Sequence, residues 1–346
     1  MSAASSRLVV LLPLYNDWAP VEVLLTELDT ALRPAGFDPE VLIIDDGSTQ
    51  PIPEALRTKR YEFLRRVDVL HLRANIGHQR AIAVGLVHVW KNRDAAAVAV
   101  MDADGQDRAE DLVKLLERFR ACGGDRIVFA ERTRRLEKMW FQTLYYTYRW
   151  LHRLLTGDPV KVGNFSVVPH ARLGQLAVTP EIWNHYAAAV IRSRMVFETV
   201  PIVRWRREHG RSHMSLVSLL LHGLSAFFVY GEILGARLLL GVGGVVAGGV
   251  LLGLLAFGSY LIRRWEIPVW LPWLAGFAGL VLLQMLLLAL VLIFIVVGSR
   301  AHARFLPARD CGYFEDRLEA LFDGARADAS SAAVNPDRSP DFSPQA

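Results

Sequence analysis

Ala97-Val98-Ala99-Val100-Met101-Asp102-Ala103-Asp104-Gly105-Gln106-Asp107 is the stretch on which the reading of this chain turns. An apolar run ends abruptly in three closely spaced carboxylates. A short, unbroken apolar run predicts a strand buried on both faces, as in a parallel sheet covered by helices. Asp102 and Asp104 then emerge at its carboxyl edge, where open α/β sheets bind their ligands. Alternate residues of an extended segment share one side. The two carboxylates can therefore take one divalent ion and leave positions for water and phosphate oxygens, as Mg²⁺ usually demands. The competing reading is an acidic turn that caps a helix over residues 109–119.

The preceding residues repeat the pattern. Residues 8–12 form an apolar run, followed by Pro13-Leu14-Tyr15-Asn16-Asp17 and a helical periodicity over 21–32. Residues 41–44 form another and end in Asp45-Asp46-Gly47-Ser48-Thr49. Residues 67–72 lead into Asn75-Ile76-Gly77-His78-Gln79 and a helix from 80 to about 90, with Ala81, Val84, Gly85 and His88 at helical spacing. Alternation of β and α requires a mainly parallel sheet with helices on both faces. Every polar cluster then falls on one edge. Phe129-Ala130-Glu131-Arg132 follows after a fifth strand.

The second half of the chain has a different composition. Residues 215–229 are Leu-rich, and 238–262 and 268–297 are nearly free of charge. Each of the latter two is long enough to cross a bilayer as a helix, which takes about 20 apolar residues. Arg263-Arg264-Trp265-Glu266-Ile267 is a short link, so the spans form an antiparallel hairpin. Arg204, Arg206, Arg207, Arg211 and Arg237 precede it and Arg300, Arg304 and Arg309 follow, which favours both ends in the cytoplasm. Arg263 and Arg264 argue weakly the other way. No signal-peptide pattern precedes the first strand. The expected organisation is a cytosolic α/β domain over 1–210, an interfacial amphipathic helix region over 211–235, two transmembrane helices over 236–300, and a cytosolic tail over 301–346. The tail, rich in Ala, Ser, Asp and Pro, is expected to be disordered from about 324. The protein is expected in the inner membrane as a multi-pass chain.

A formal net charge of +4 over 346 residues argues against nucleic acid as a partner. The basic excess near the spans suits a lipid bilayer with anionic head groups instead. Cys122 and Cys311 have no Cys or His neighbours at ligand spacing, which excludes a zinc site. Gly244-x-x-x-Gly248 and Gly249-x-x-x-Gly253 permit close helix packing and a homo-oligomer. In so glycine-rich a span, chance is the better explanation of the spacing.

Pro13-x-Tyr15-Asn16, Asp45-Asp46-Gly47-Ser48, Asn75-x-Gly77-His78-Gln79-x-Ala81 and Asp102-x-Asp104-x-Gln106-Asp107 occur in this order. Together they resemble the signature of the GT-A glycosyltransferases of family 2. The similarity is strongest to the polyprenyl-phosphate glycosyltransferases, the dolichol-phosphate mannose synthase group and its bacterial relatives. The resemblance implies a Rossmann-like GT-A catalytic domain followed by an interfacial helix and a transmembrane hairpin. It implies a nucleotide-sugar donor bound by Pro13, Tyr15, Asn16, Asp45, Asp46, Gly77, His78, Gln79, Asp102 and Ala103. It implies Mg²⁺ or Mn²⁺ on Asp104, with Asp102, and catalytic roles for Asp102, Asp104, Gln106 and Arg132. The acceptor would be a polyprenyl phosphate of undecaprenyl or decaprenyl type, its phosphate met by Arg132, Arg204, Arg207, Ser212 and His213.

Charge gives the same picture a chemical reason. A departing nucleoside diphosphate develops negative charge that a divalent ion neutralises. The alternative role for Asp46 is an Asx-turn that closes the Asp-Gly-Ser bend. A sugar hydroxyl acceptor needs a base, whereas a phosphate monoester, with a second pKa near 6, is already ionised at pH 7. Arginines suit such an acceptor through bidentate contacts, although those near the spans also serve as membrane anchors. Several positions depart from the family pattern. Arg108-Ala109 stand where prolines are common, Gly105 where an apolar residue is, and His213 at a typical lysine position. Asn164 and Ser166, in the acceptor loop Val162-Gly163-Asn164-Phe165-Ser166, stand where relatives place an acid and an arginine, a loss for which Arg211 can compensate. Two other readings compete. A transferase that extends a glycan would need a base, and the Gln-x-x-Arg-Trp pattern of processive synthases is absent. A non-catalytic scaffold with the same fold is opposed by intact Asp102, Asp104 and Gln106.

Overall fold

The computed structural model describes residues 6–132, 162–203, 229–263, 268–298 and 305–324. Its first unit begins with β1 (Arg7–Leu14), α1 (Trp18–Ala31), β2 (Asp38–Asp45), α2 (Glu54–Thr58), β3 (Arg66–Leu72), α3 (His78–Asn92), β4 (Ala97–Val100) and α4 (Ala109–Ala121). It continues with β5 (Ile127–Arg132), β6 (Val162–Pro169), α5 (His170–Ala177), α6 (Tyr186–Arg192) and β7 (Phe197–Ile202). β1 pairs in parallel with β2 and β4, and β2 with β3, so that Leu11 lies beside Leu42 and Val100. This is the expected GT-A arrangement, parallel through its centre.

The central strands are continuous apolar runs because both faces are covered. Leu8, Val10 and Leu12 pack with Val21, Leu25 and Leu28 of α1 and Leu112 and Leu116 of α4. Val9 and Leu11 point the other way, into a cluster with Ile82, Val84 and Leu86 of α3 and Tyr186 of α6. The first helix starts at Trp18, three residues before its periodicity predicts, because the buried Trp18 donates its indole N–H to Gln50 O at 3.3 Å.

Three expectations are corrected. The segment from Val162, expected as a loop, is strand β6, antiparallel to both β4 and β5. Its alternate residues Phe165 and Val167 join one core while Val168 joins the other. The first apolar helix, α7 (Gly231–Arg263), begins inside the region assigned to an interfacial helix, since nothing in residues 231–237 breaks helical geometry; residues 211–228 lie outside the described set. The largest correction concerns residues 315–323, assigned to the cytosolic tail, whereas the disorder expected from about 324 falls almost wholly on residues outside the described set. After α8 (Trp270–Gly298) and a single turn, α9 (Pro307–Asp310), residues Glu315–Asp323 form β8, which pairs antiparallel with β3 and completes an eight-stranded sheet of order β7-β5-β6-β4-β1-β2-β3-β8. The unpaired edge of β3 supplies the reason, because a strand edge presents a row of unsatisfied N–H and C=O groups. Phe305 enters this segment stacked on Trp183, ring centroids 4.0 Å apart, and Phe314 lies 5.0 Å from the same indole.

The second unit holds α7 and α8, both long and apolar enough to cross a membrane. They pack against each other and are joined by residues 264–267, compatible with a transmembrane hairpin. A Cβ at Gly244, Gly248, Gly249 or Gly253 would meet nothing within 4 Å among the described residues, so α8 makes no close approach to α7 at these glycines.

Phe322 of β8 is buried and meets Tyr61 edge to face at 5.3 Å. Replacing it by Ala should cost about 3–5 kcal/mol, the usual penalty for a core Phe. Thermal unfolding of the detergent-purified chain should show a clearly lowered midpoint; a solvated tail would leave it unchanged.

Candidate active site

Four loops converge at the carboxyl edge of the sheet, and backbone–carboxylate bonds tie them together. Asp46 is buried and accepts N–H groups from Ile76 at 2.7 Å and Gly77 at 2.9 Å, joining the loop after β2 to the start of α3. Asp45 Oδ1 accepts from Ser48 N at 2.9 Å, so the bend is closed by the side chain of Asp45, three residues back, and not by an Asx-turn at Asp46. Gly47 between them has φ +70°, and a Cβ there would lie 2.7 Å from the backbone N of Asn75, which no other residue can tolerate. Asn16, at φ +56°, accepts from Thr49 N at 2.8 Å and Gln50 N at 3.0 Å and donates its own N–H to Ser48 Oγ at 2.8 Å. It thereby fixes the loop after β1, with Pro13 buried and Tyr15 exposed, against the loop after β2.

The Asp102–Asp107 turn is built the same way. Asp107, buried, accepts from Asp102 N at 3.0 Å, and Asp104 Oδ1 accepts from Gln106 N at 3.0 Å. Gly105 takes φ +76°, which explains why glycine occupies a position that the resemblance leads one to expect apolar. Ala103 is buried and the side chains of Asp102 and Asp104 are half-buried. Among the described residues no three Asp, Glu, His or Cys side chains gather as a ready-made metal cage. Two oxygen donors with open positions fit a hard ion that completes its shell with water and phosphate.

His78 at the start of α3 carries its Nε2 to 3.1 Å from Asp102 Oδ1 and 3.1 Å from Asn164 Nδ2. Gln79 bridges in the other direction: its Nε2 donates to Asn164 Oδ1 at 3.0 Å and its Oε1 accepts from Tyr186 N at 2.8 Å. Ser166 Oγ lies 2.8 Å from the Tyr186 hydroxyl and donates to Asn164 O at 2.9 Å. Asn164 and Ser166 thus form a neutral brace where the resemblance leads one to expect charges. Desolvation works against a charged His78, but Asp102, followed by Asp104 and Asp46, outweighs it and raises the imidazole pKa above its ordinary value.

The structure therefore brings Asn16, Asp45, Asp46, Gly77, His78, Gln79, Asp102 and Asp104 to one edge, with the side chains of Asn16, Asp46 and Gln79 bonded to neighbouring loops and helices. Arg132 is the last residue of β5, while Arg204, Arg207, Ser212 and His213 lie outside the described residues. His71, Asp107, Asn164, Tyr186 and Glu319 belong to the site's framework without having been singled out as binding residues. His71 Nδ1 lies 2.8 Å from Asp45 Oδ2. Beside this pair opens a cavity of about 300 Å³ lined by Trp18, Ser48, Gln50, Arg57, His71 and Arg317.

Residues 9–198, more than half of the chain, match the description Glycosyl transferase family 2, and the chain belongs to that family. It is 29% identical over 162 residues to the uncharacterized glycosyltransferase YkcC of Bacillus subtilis (strain 168), covering 46% of this chain and 48% of that protein. It is 30% identical over 112 residues to an undecaprenyl-phosphate 4-deoxy-4-formamido-L-arabinose transferase of Klebsiella pneumoniae (strain 342), covering 32% and 33%. The matches thus span about half of the first relative and a third of the second. The fold is also similar to glucosyl-3-phosphoglycerate synthase from Mycobacterium tuberculosis solved with Mn²⁺, uridine-diphosphate-glucose and phosphoglyceric acid. That likeness has a TM-score of 0.48 and 15% identity over 68% of this chain and 81% of that one, too loose to carry an argument about ligands.

Burial dominates the titration of Asp46 and, against the two N–H donors and His78, raises its pKa to about 6. At 1.36 kcal/mol per unit, ionising it costs the folded chain roughly 3 kcal/mol relative to the unfolded one. Its contribution to stability is fully present below the ordinary carboxylate pKa near 4 and is lost as pH rises through about 6. The melting-temperature difference between wild type and Asp46→Asn should therefore fall between pH 4 and 7. A constant difference would mean that Asp46 titrates as an ordinary carboxylate.

Proposed function

We propose that this chain transfers a sugar from a nucleotide-sugar donor to a membrane polyprenyl phosphate, giving a polyprenyl-phosphate-monosaccharide. The observation that carries the reading is the Asp102–Asp104 pair, set at the sheet edge among the loops of Asp45 and His78 in a family 2 chain with two apolar helices. The name of the Klebsiella relative, an undecaprenyl-phosphate transferase, supports the acceptor class. In this reading the nucleoside lies along Pro13, Tyr15, Asn16 and Asp45, with Asp46, Gly77 and Gln79 holding the loops that shape the pocket. Asp102 and Asp104 would hold Mg²⁺ or Mn²⁺, which when bound supplies Lewis-acid neutralisation of the departing diphosphate. His78 stands beside Asp102 with its pKa raised by that carboxylate, and Gln106 and Ala103 complete the turn.

The acceptor phosphate brings its own negative charge and needs positioning rather than deprotonation. Arg132 at the end of β5 and the basic segment with Arg204, Arg207, Ser212 and His213 supply it, the latter close in sequence to the apolar helices. Basic residues on both outer flanks of the hairpin support an inner-membrane location with the catalytic domain in the cytosol, where nucleotide sugars are made.

Asp104→Ala should lower transfer by roughly 10³-fold, since Lewis-acid stabilisation is worth several kcal/mol and each 1.36 is tenfold. The melting temperature should hold. Wild-type turnover by Asp104→Ala in EDTA-treated, Mg²⁺-restored assays would remove the metal role.

Radiolabelled nucleotide sugars offered to the purified protein with undecaprenyl phosphate should yield a chloroform–methanol-soluble product labile to mild acid, and undecaprenol should be inert. Label appearing only in an oligosaccharide, with polyprenyl phosphate neither consumed nor required, would replace this reading by glycan extension.

A further inference from the structure

Asp45 closes β2 with both carboxylate oxygens engaged, Oδ1 by the Ser48 N–H and Oδ2 by His71. His71 does not end there. Its Nε2 lies 3.2 Å from Glu319 Oε2 on β8, and the other oxygen of Glu319 pairs with Arg57 of α2. A carboxylate stands at each ring nitrogen, so the imidazole is held in one plane between Asp45 and Glu319. The His71–Asp45 pair is shielded, its side chains 10% and 7% exposed, while Glu319 at the other end is 23% exposed. Burial works to raise the pKa of Glu319, but Arg57 and His71 outweigh it and keep it an anion. Arg317 stands opposite His71 in the β3–β8 register and lines the cavity beside Asp45.

We propose that His71 and Glu319 are positioning residues of the donor pocket: strand β8, from beyond the second apolar helix, fixes through His71 the orientation in which Asp45 receives the nucleoside. The proposal rests on the reading of Asp45 as a donor contact. Without Glu319 the ring turns about its broad, two-fold Cβ–Cγ torsion, and Asp45 loses the partner that sets its plane. A chain of ion pairs with only a structural role would change stability and leave nucleotide affinity alone.

The test uses the full-length protein in detergent with Mg²⁺, titrated calorimetrically with UDP, GDP, CDP and dTDP to find which the wild type binds. Glu319→Ala and His71→Ala should each weaken that nucleotide about tenfold, which corresponds to 1.4 kcal/mol. Each should raise the donor KM with kcat within about twofold, a ratio that lost stability alone does not produce. The double variant should be no weaker than either single one, because both act through one carboxylate. Glu319→Gln keeps an acceptor toward the ring and should recover most of the affinity. If the alanine variants fail to fold, His71→Asn, too short to span both carboxylates, should show the same tenfold loss. Folded variants with lowered melting temperatures but wild-type nucleotide affinity would overturn the proposal and leave the donor reading standing. A wild type that binds none of the four nucleotides would overturn the donor reading, and this proposal with it.

Discussion

The carboxyl edge of the sheet concentrates negative charge, and the rest of the site follows from how that charge is satisfied. Asp45, Asp46, Asp102, Asp104 and Asp107 crowd onto neighbouring strand ends. Each is given a donor within the chain: Ser48 N and His71 for Asp45, two backbone N–H groups for Asp46, Gln106 N for Asp104, Asp102 N for Asp107, and His78 beside Asp102. Backbone N–H donors are fixed dipoles and cost no side-chain entropy at the moment a ligand binds, which is the condition for a preorganised electrostatic site. The bonds to Asp46 and the pairs of His71 with Asp45 and His78 with Asp102 run between segments, so satisfying these acids also assembles the pocket.

Asp46 shows what this costs. Its two N–H donors hold the turn after β3 against the turn after β2, yet burial keeps its pKa near 6, so the bond pattern is maintained at neutral pH against a desolvation penalty. Such a penalty is tolerated at functional sites, where rigidity is worth more than stability. The neutral Asn164–Ser166–Tyr186 brace does similar work without charge on the other flank. An extra acid at Asn164 would add repulsion beside Asp102 unless an arginine stood with it, so the two departures from the resemblance belong together.

Much of this was legible in the sequence because apolar runs that end in acids place those acids at one sheet edge. Asp45, Asp46, Asp102 and Asp104 were found that way, and the family match agrees with the order of the motifs. His71 was not, since it sits inside the run of residues 67–72 and looks like one polar interruption in a buried strand. Strand β8 was hidden for a different reason. Leu318, Leu321 and Phe322 fall at helical spacing behind Glu315, Asp316 and Arg317, without the alternation that marks a strand. Pairing with the free edge of β3 overrides that local pattern, as β-structure often does. Residues 162–166 read as a loop because Gly163, Asn164 and Ser166 interrupt the apolar pattern, which only Val167 and Val168 restore.

The position of β8 has a consequence for how the catalytic unit forms. His71 and Glu319 are 248 residues apart, with both apolar helices between them. Closing so long a loop is slow because non-local contacts reward the chain only after the ordering entropy has been spent. Until residues 315–323 arrive, β3 keeps an open edge and Tyr61 lacks its Phe322 partner. The sheet is therefore completed only by a chain that has already made its two apolar helices. If His71 and Glu319 orient Asp45, the donor pocket matures at the same moment, and an incomplete chain without the hairpin would bind nucleotide poorly. The same bond that positions a donor contact would then tie donor binding to possession of the two apolar helices.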